Sequence, residues 1–178
     1  TNFVKPNKKD LIIYEVLVRD FDANRTYQDL INKIDYFKNL KINAIQLIPV
    51  MKFEGNESWG YNTVFHMALD KRYGSEAKLK EFIDLCHQNG IAVILDIALN
   101  HVFSRSPLAR MWMKDTDNDG WDNGTTSENP YSNANPMHSY NVGTDLNHFN
   151  EPNNLTGNYV KQKIEHWINN IKNSCRLW

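Results

Sequence analysis

What the sequence has little of narrows it first. Only two cysteines, Cys86 and Cys175, occur in 178 residues, too few for a disulfide framework or a four-ligand thiolate zinc site. No apolar run approaches the roughly 18 residues of a membrane span; the longest, Ile91 to Leu99, is interrupted by Asp96. Neither sign of charge dominates, since Lys+Arg 20 against Asp+Glu 21 leaves a formal net charge of -1. With no basic block either, the charge balance argues against nucleic-acid binding by counterion release. The chain starts at Thr1 with no initiator Met, basic n-region or apolar h-region. It is therefore expected to be a processed or excised piece, and its compartment, secreted or periplasmic residence included, stays unassigned.

What is present suffices for a folded core. Hydrophobic residues make up 41% and aromatics 12%, which argues against disorder. From Asp10 to Asp20 the residues Leu11, Ile12, Ile13, Tyr14, Val16, Leu17 and Val18 form a nearly continuous apolar run, expected of a strand buried on both faces. After the turn Asp22-Ala23-Asn24-Arg25, Thr26 with Asp29 reads as a variant capping box. Behind it Tyr27, Leu30, Ile31, Ile34 and Phe37 repeat at helical spacing. A second apolar strand runs from Ala44 to Val50. Ser75 then opens a helix with Leu79, Phe82, Ile83 and Cys86 on one face and Asn89-Gly90 as its stop. Ile91 to Leu99 is the third strand.

This βαβαβ pattern implies a parallel sheet with right-handed crossovers. A dinucleotide-binding domain would need a Gly-rich turn after the first strand, and Arg19-Asp20-Phe21-Asp22-Ala23-Asn24 has no Gly. The fold class expected is α/β, a partial (β/α)8 barrel, with polar and aromatic residues gathered just past each strand where barrel active sites form. From His101 to about Thr156 the chain is rich in Asn, Asp, Ser, Gly and Pro without a sustained period, the habit of a functional loop or subdomain. Helical spacing resumes with Val160, Ile164, Trp167, Ile168 and Ile171. The expected organisation is residues 1–100 as the N-terminal βαβαβ part, 101–156 as an inserted loop domain, and 157–178 as the third helix and the start of a fourth strand. A whole barrel runs to about 250 residues, so the chain is expected to hold only the first three to four units.

The most specific segment is Leu95-Asp96-Ile97-Ala98-Leu99-Asn100-His101-Val102. A buried strand ending in Asp-x-x-x-Asn-His places three polar side chains at an active-site edge; alternatively Asp96 and Asn100 cap a turn and His101 is a surface residue. With it go Ile13-Tyr14-Glu15-Val16 through Arg19, Asn43 to Val50, Trp59-Gly60-Tyr61-Asn62, Ala68-Leu69-Asp70, Tyr73-Gly74 and Gly143-Thr144-Asp145-Leu146-Asn147-His148. In number, order and spacing these motifs resemble the alpha-amylase superfamily of glycoside hydrolases, over most of the chain.

The resemblance implies a substrate-binding set of Tyr61, Asp96, His101, Trp59 and Arg176. Tyr61 would stack under a sugar ring, His101 would bond a hydroxyl of the same sugar, and Asp96 would hold this part of the site in place. Trp59 would extend the platform or staple the loop. It further implies calcium between Asn100 and Asp145, oxygen donors that suit a hard cation. A separate calcium candidate comes from the residues themselves: Asp115-Thr116-Asp117-Asn118-Asp119-Gly120 has the opening spacing of an EF-hand loop, although Thr126 stands where a bidentate Glu belongs. An acidic solvated turn is the other reading.

Retaining glycosidases use two carboxyl groups about 5–5.5 Å apart. In the resembled family the nucleophilic Asp ends the fourth strand in a Gly-x-Arg-x-Asp motif, and aligned on Arg176 that position falls at Trp178. The acid/base Glu lies further on. The expectation is thus the N-terminal piece of an enzyme acting on alpha-glucans such as starch or malto-oligosaccharides, inactive alone; a noncatalytic carbohydrate-binding or interaction module is the alternative. Half a barrel leaves sheet edges unpaired, so self-association is expected, with no nucleic-acid or membrane partner.

Overall fold

In the computed structural model, described for residues 3–103, 105–120, 124–137, 142–148 and 155–170 (without the Asn170 side chain), the strands in chain order are β1 (Ile13–Val16), β2 (Ala44–Leu47), β3 (Met51–Phe53), β4 (Thr63–Leu69), β5 (Ala92–Leu95), β6 (His101–Val102) and β7 (Thr144–Asp145). The helices are α1 (Val18–Phe21), α2 (Tyr27–Asn32), α3 (Ile34–Asn39), α4 (Glu76–Gln88), α5 (Pro107–Arg110) and α6 (Leu155–Asn170). None of the described helices is long and apolar enough to cross a membrane. The chain divides into two units: Thr1–Val50, Leu69–Ile97 and His166–Trp178 form one, Met51–Ala68 and Ala98–Glu165 the other.

In the first unit the three apolar runs become a parallel sheet in the order β1-β2-β5. Val16 lies opposite Leu47, and Leu47 opposite Leu95. The ladder continues just past the strands, with Ile48 N–H donating to Val16 O and Asp96 N–H to Leu47 O, both at 3.0 Å. Central β2 buries Ala44, Ile45 and Leu47, as a strand covered on both faces must. At the edge strand β1, Ile13 and the preceding Ile12 are exposed.

Two expectations need correction here. The apolar run Asp10–Asp20 is not one strand: only four residues pair, and Val18–Phe21 coil into α1. Arg19 and Asp20 join there through hydrogen bonds of 2.6 and 2.8 Å. Continuous apolarity cannot separate a strand from a buried helical turn. Likewise the helix expected over Tyr27–Phe37 is two, α2 and α3, broken at Lys33. Its N–H donates to Leu30 O three residues back, which tightens the turn while Tyr27, Leu30 and Phe37 all stay buried.

The caps read from the sequence are present. Thr26 and Asp29 close the capping box at α2, and Asn24 adds an amide donor to the Asp29 carboxylate at 2.8 Å. Ser75 caps α4, which buries Leu79, Phe82, Ile83 and Cys86. Burial pushes the Cys86 thiol up, so it is a packing residue without thiolate chemistry. Gly90, at φ +74, supplies the left-handed stop after α4.

The second unit contains a feature the periodicity did not reveal, the pair β3-β4. In β4 the usual alternation is reversed in chemical type: His66 is buried and Phe65 exposed, so no apolar-in, polar-out pattern marks it. The long Asn-rich stretch holds two-residue strands β6 and β7, paired antiparallel, the four-residue α5 and a small apolar cluster of Val102, Ala109 and Leu146. Polar side chains brace much of the rest: Asn129 donates to Leu108 O at 2.8 Å and to Thr125 Oγ1 at 2.7 Å. Ile171, Cys175, Arg176 and Trp178 lie outside the described residues.

Candidate functional site

The tip of the β3-β4 connection carries two aromatic rings on a pinned backbone. Gly60 adopts φ +95, a conformation that favours glycine, and its N–H donates to Ser58 Oγ at 2.8 Å. Asn62 donates to Glu54 O at 2.9 Å, and Ser58 and Asn62 are hydrogen-bonded to each other. On this frame Trp59 is 62% and Tyr61 38% exposed, well above what a core role would leave.

His101 opens β6 beside this tip. Its Nε2 lies 2.6 Å from the Tyr61 carbonyl oxygen, so that nitrogen carries the hydrogen and donates it. In the neutral ring Nδ1 is then left as an acceptor. The Phe103 ring meets the imidazole edge-on at 5.7 Å. The structure thus brings the His101 imidazole to the Tyr61 backbone across forty residues.

Two further histidines, for which the sequence offered no partner spacing, do related work. His66 Nε2 is 2.9 Å from Ala98 O and His148 Nε2 is 3.0 Å from Leu99 O. Burial, and behind it the nearby Lys163, drives the His66 pKa down to about 3, so it stays neutral. Their partners are 32 and 49 residues away and are backbone atoms, so no local motif could have announced them.

The two calcium candidates differ in fit. Asp145 is buried, and its Oδ2 already receives the Asn133 amide at 2.7 Å and the Met137 N–H at 3.4 Å. A cation at that oxygen would face two N–H donors, so this oxygen does not fit calcium. Asn100 is exposed, and its carbonyl accepts from Leu146 N–H at 3.0 Å. Asp115, Asp117 and Asp119 each place a carboxylate oxygen within 4.8 Å of the others, a spacing that one ion with ligands at about 2.3–2.6 Å can span. Asn118 and Gly120 supply left-handed turns there, at φ +60 and +80. Asp115 Oδ2 accepts the Gly120 N–H at 3.1 Å, but its buried Oδ1 has no hydrogen-bond partner among the described residues, so this oxygen-only set fits a hard cation.

Asp96 belongs to the first unit, partly buried just past β5. Arg176 and Trp178 lie outside the described residues.

A parallel sheet whose strands are joined by helices defines an α/β domain. The family model for the alpha-amylase catalytic domain matches residues 19–174, and the chain belongs to that family. A malto-oligosyltrehalose trehalohydrolase of Saccharolobus solfataricus is 37% identical over 101 residues, covering 57% of this chain and 18% of the relative. Alpha-amylase 3 of Dictyoglomus thermophilum is 37% identical over 108 residues, 58% of this chain and 21% of its own length. Among solved structures, a Bacillus subtilis type I pullulanase complexed with maltose superposes with TM-score 0.73 at 22% identity, covering 97% of this chain and 28% of that one. A pullulanase from Anoxybacillus complexed with maltotetraose gives TM-score 0.68 at 24% identity, over 97% and 29%. At such identities the structural likeness speaks for the fold. The chain spans about a fifth of the length of these curated relatives.

Proposed function

We propose that this chain forms the sugar-binding edge of an alpha-glucan-acting enzyme of the alpha-amylase family, with starch or malto-oligosaccharides as substrates. The observation that carries the reading is the 2.6 Å bond from His101 Nε2 to Tyr61 O. It ties an imidazole whose second nitrogen can accept a sugar hydroxyl to the backbone of the residue that carries an exposed aromatic ring.

In this reading Tyr61 stacks on the C–H face of a glucose unit and Trp59 extends the platform. His101 Nδ1 accepts from a hydroxyl of the same unit, and Asp96 supports the strand end. The three parallel strands are the first units of a (β/α)8 barrel, and residues 101–156 are its inserted loop domain. If calcium is used, Asp115, Asp117 and Asp119 hold it and rigidify their turn. Hydrolysis by the full-length parent would be of the retaining type and needs two apposed carboxyl groups. None is assigned among these residues, so the 178-residue chain is expected to bind glucan without turning it over. Its exposed β1 edge, with Ile12 and Ile13, is where self-association would start.

The test is a titration with maltoheptaose followed by intrinsic fluorescence, alongside an assay for released reducing ends. Saturable binding that Tyr61→Ala with His101→Ala abolishes is the expected result. Binding that survives the double substitution would remove the site assignment, and turnover by this chain would remove the claim of inactivity.

A further inference from the structure

Leu99, Asn100 and His101 lead from the third parallel strand into the sugar-facing loop, and each is held by the stretch 145–148. His148 Nε2 donates to Leu99 O at 3.0 Å. Leu146 N–H donates to Asn100 O at 3.0 Å. His101 pairs with Asp145 in the β6-β7 ladder. Asp145 is anchored from its far side, with its carboxylate on Asn133 Nδ2 and its carbonyl accepting Asn133 N–H at 2.9 Å. The two segments approach so closely at Gly143 that a Cβ there would sit 2.6 Å from Val102 O. A binding side chain holds its geometry only as well as the groups behind it are fixed. Here the groups behind His101 are backbone carbonyls, and the His148 side chain is bonded to one of them, Leu99 O.

We infer that His148 is a positioning residue for His101, and that the clamp it completes works through protein hydrogen bonds, with Asn133 serving at Asp145 where a cation would otherwise sit. This rests on the sugar-binding reading of Tyr61 and His101. Losing the His148 donor frees the Leu99 carbonyl two residues before His101 and lets the imidazole leave the Tyr61 oxygen.

Two measurements on the full 178-residue chain separate the clamp from the binding reading. Hydrogen exchange of the Leu146 and Phe103 amides, which donate to Asn100 O and Thr63 O, reports the clamp without any sugar. His148→Ala is expected to speed Leu146 exchange at least tenfold and to weaken maltoheptaose binding at least fivefold. His148→Gln, which keeps an N–H donor, should restore most of both. Asn133→Ala should loosen Leu146 similarly, while a chelator should not. Unchanged exchange in His148→Ala, no rescue by glutamine, or loosening by chelator as large as that of Asn133→Ala would each overturn the inference. Exchange that responds as expected in a chain that binds no glucan would uphold the clamp and remove the sugar-binding reading alone.

Discussion

The two units hold themselves together by different means. In the first, apolar side chains at regular spacing are buried against a parallel sheet: Leu30 and Phe37 from α2 and α3, Leu79, Phe82 and Ile83 from α4, Ile45 and Leu47 from β2. In the second, the apolar cluster of Val102, Ala109 and Leu146 is small. Asparagine, threonine and histidine side chains there reach backbone carbonyls over long sequence separations, as Asn129 does to Leu108 and Thr156 to Tyr131. Apolar packing is non-directional and tolerant of repacking, whereas a hydrogen bond demands its geometry. The first arrangement suits a scaffold, and the second suits a surface that must place particular side chains.

Substitutions can break this contrast, and the largest effect is expected in the scaffold. Phe82 is fully buried, and Phe82→Ala should cost about 3–5 kcal/mol, read as a lowered urea midpoint. In the second unit the most damaging small change is Gly143→Ala. At φ +67 and with Val102 O at 2.6 Å from the added Cβ, it combines left-handed strain with overpacking, about 2–4 kcal/mol together. Its signature should be local: Leu146 amide protection falls further than protection in α4. If both substitutions lowered protection evenly across the chain, the distinction between the units would not hold.

The reverse sign is expected at Lys163. Its side chain is fully buried, with no hydrogen-bond partner for Nζ among the described residues, and Nζ lies 4.3 Å from the Tyr159 ring centroid. His66 on β4, itself edge-on to Tyr159 at 6.0 Å, offers no negative charge. Burial lowers the Lys163 pKa to about 7. Above that pH the folded state holds the amine neutral, while the unfolded state stays protonated up to about 10.4. The unfolded chain then binds more protons, so this group's contribution to stability rises with pH across that window. Lys163→Met should therefore stabilise by about 1–3 kcal/mol near pH 7, and the gain should shrink as pH approaches 10. A destabilised Met variant would mean the amine is satisfied after all.

How much of this could be read from residues alone follows the same division. The three parallel strands, the α4 face from Leu79 to Cys86 and the caps at Thr26 and Ser75 were legible, because each is a local pattern of period or capping chemistry. The limits of β1 and the break at Lys33 were not, since an apolar run does not say where pairing stops. The β3-β4 pair escaped because burying His66 and exposing Phe65 reverses the usual code. Tyr61 and His101 stood out as motif residues, yet the bond between them, and the roles of His66, His148 and Asn133, depend on backbone carbonyls brought near by the fold. The Asp115–Asp119 turn was legible as oxygen donors at alternate positions. That Asp145 is committed to Asn133 was not, because the two are twelve residues apart and no local motif links them.

The smallest effect expected is also the sharpest probe of the contrast, because it concerns a polar motif inside the apolar unit. Asp29 is buried and accepts from Asn24 Nδ2 at 2.8 Å and from Thr26 N–H at 2.9 Å. Burial alone would raise its pKa, but the bonds from Asn24 and Thr26 outweigh it and hold the carboxyl below its ordinary range. A depressed folded pKa means that the unfolded state takes up the proton first on acidification. The stability Asp29 contributes is whole above about pH 3.9, the unfolded value, and drains away as pH falls through the folded one. Asp29→Ala should cost about 1 kcal/mol at pH 7, the usual worth of such a cap. Asp29→Asn keeps an acceptor and loses the charge, so it should cost less at pH 7 and draw level with wild type as pH falls through the folded pKa. Urea midpoints of wild type and Asp29→Asn measured between pH 7 and 2.5 decide it, since the other carboxylates titrate in both and cancel in the difference. A constant gap across that range would place the value of Asp29 in its shape and not its charge, and the apolar unit would then owe nothing to electrostatics at this cap.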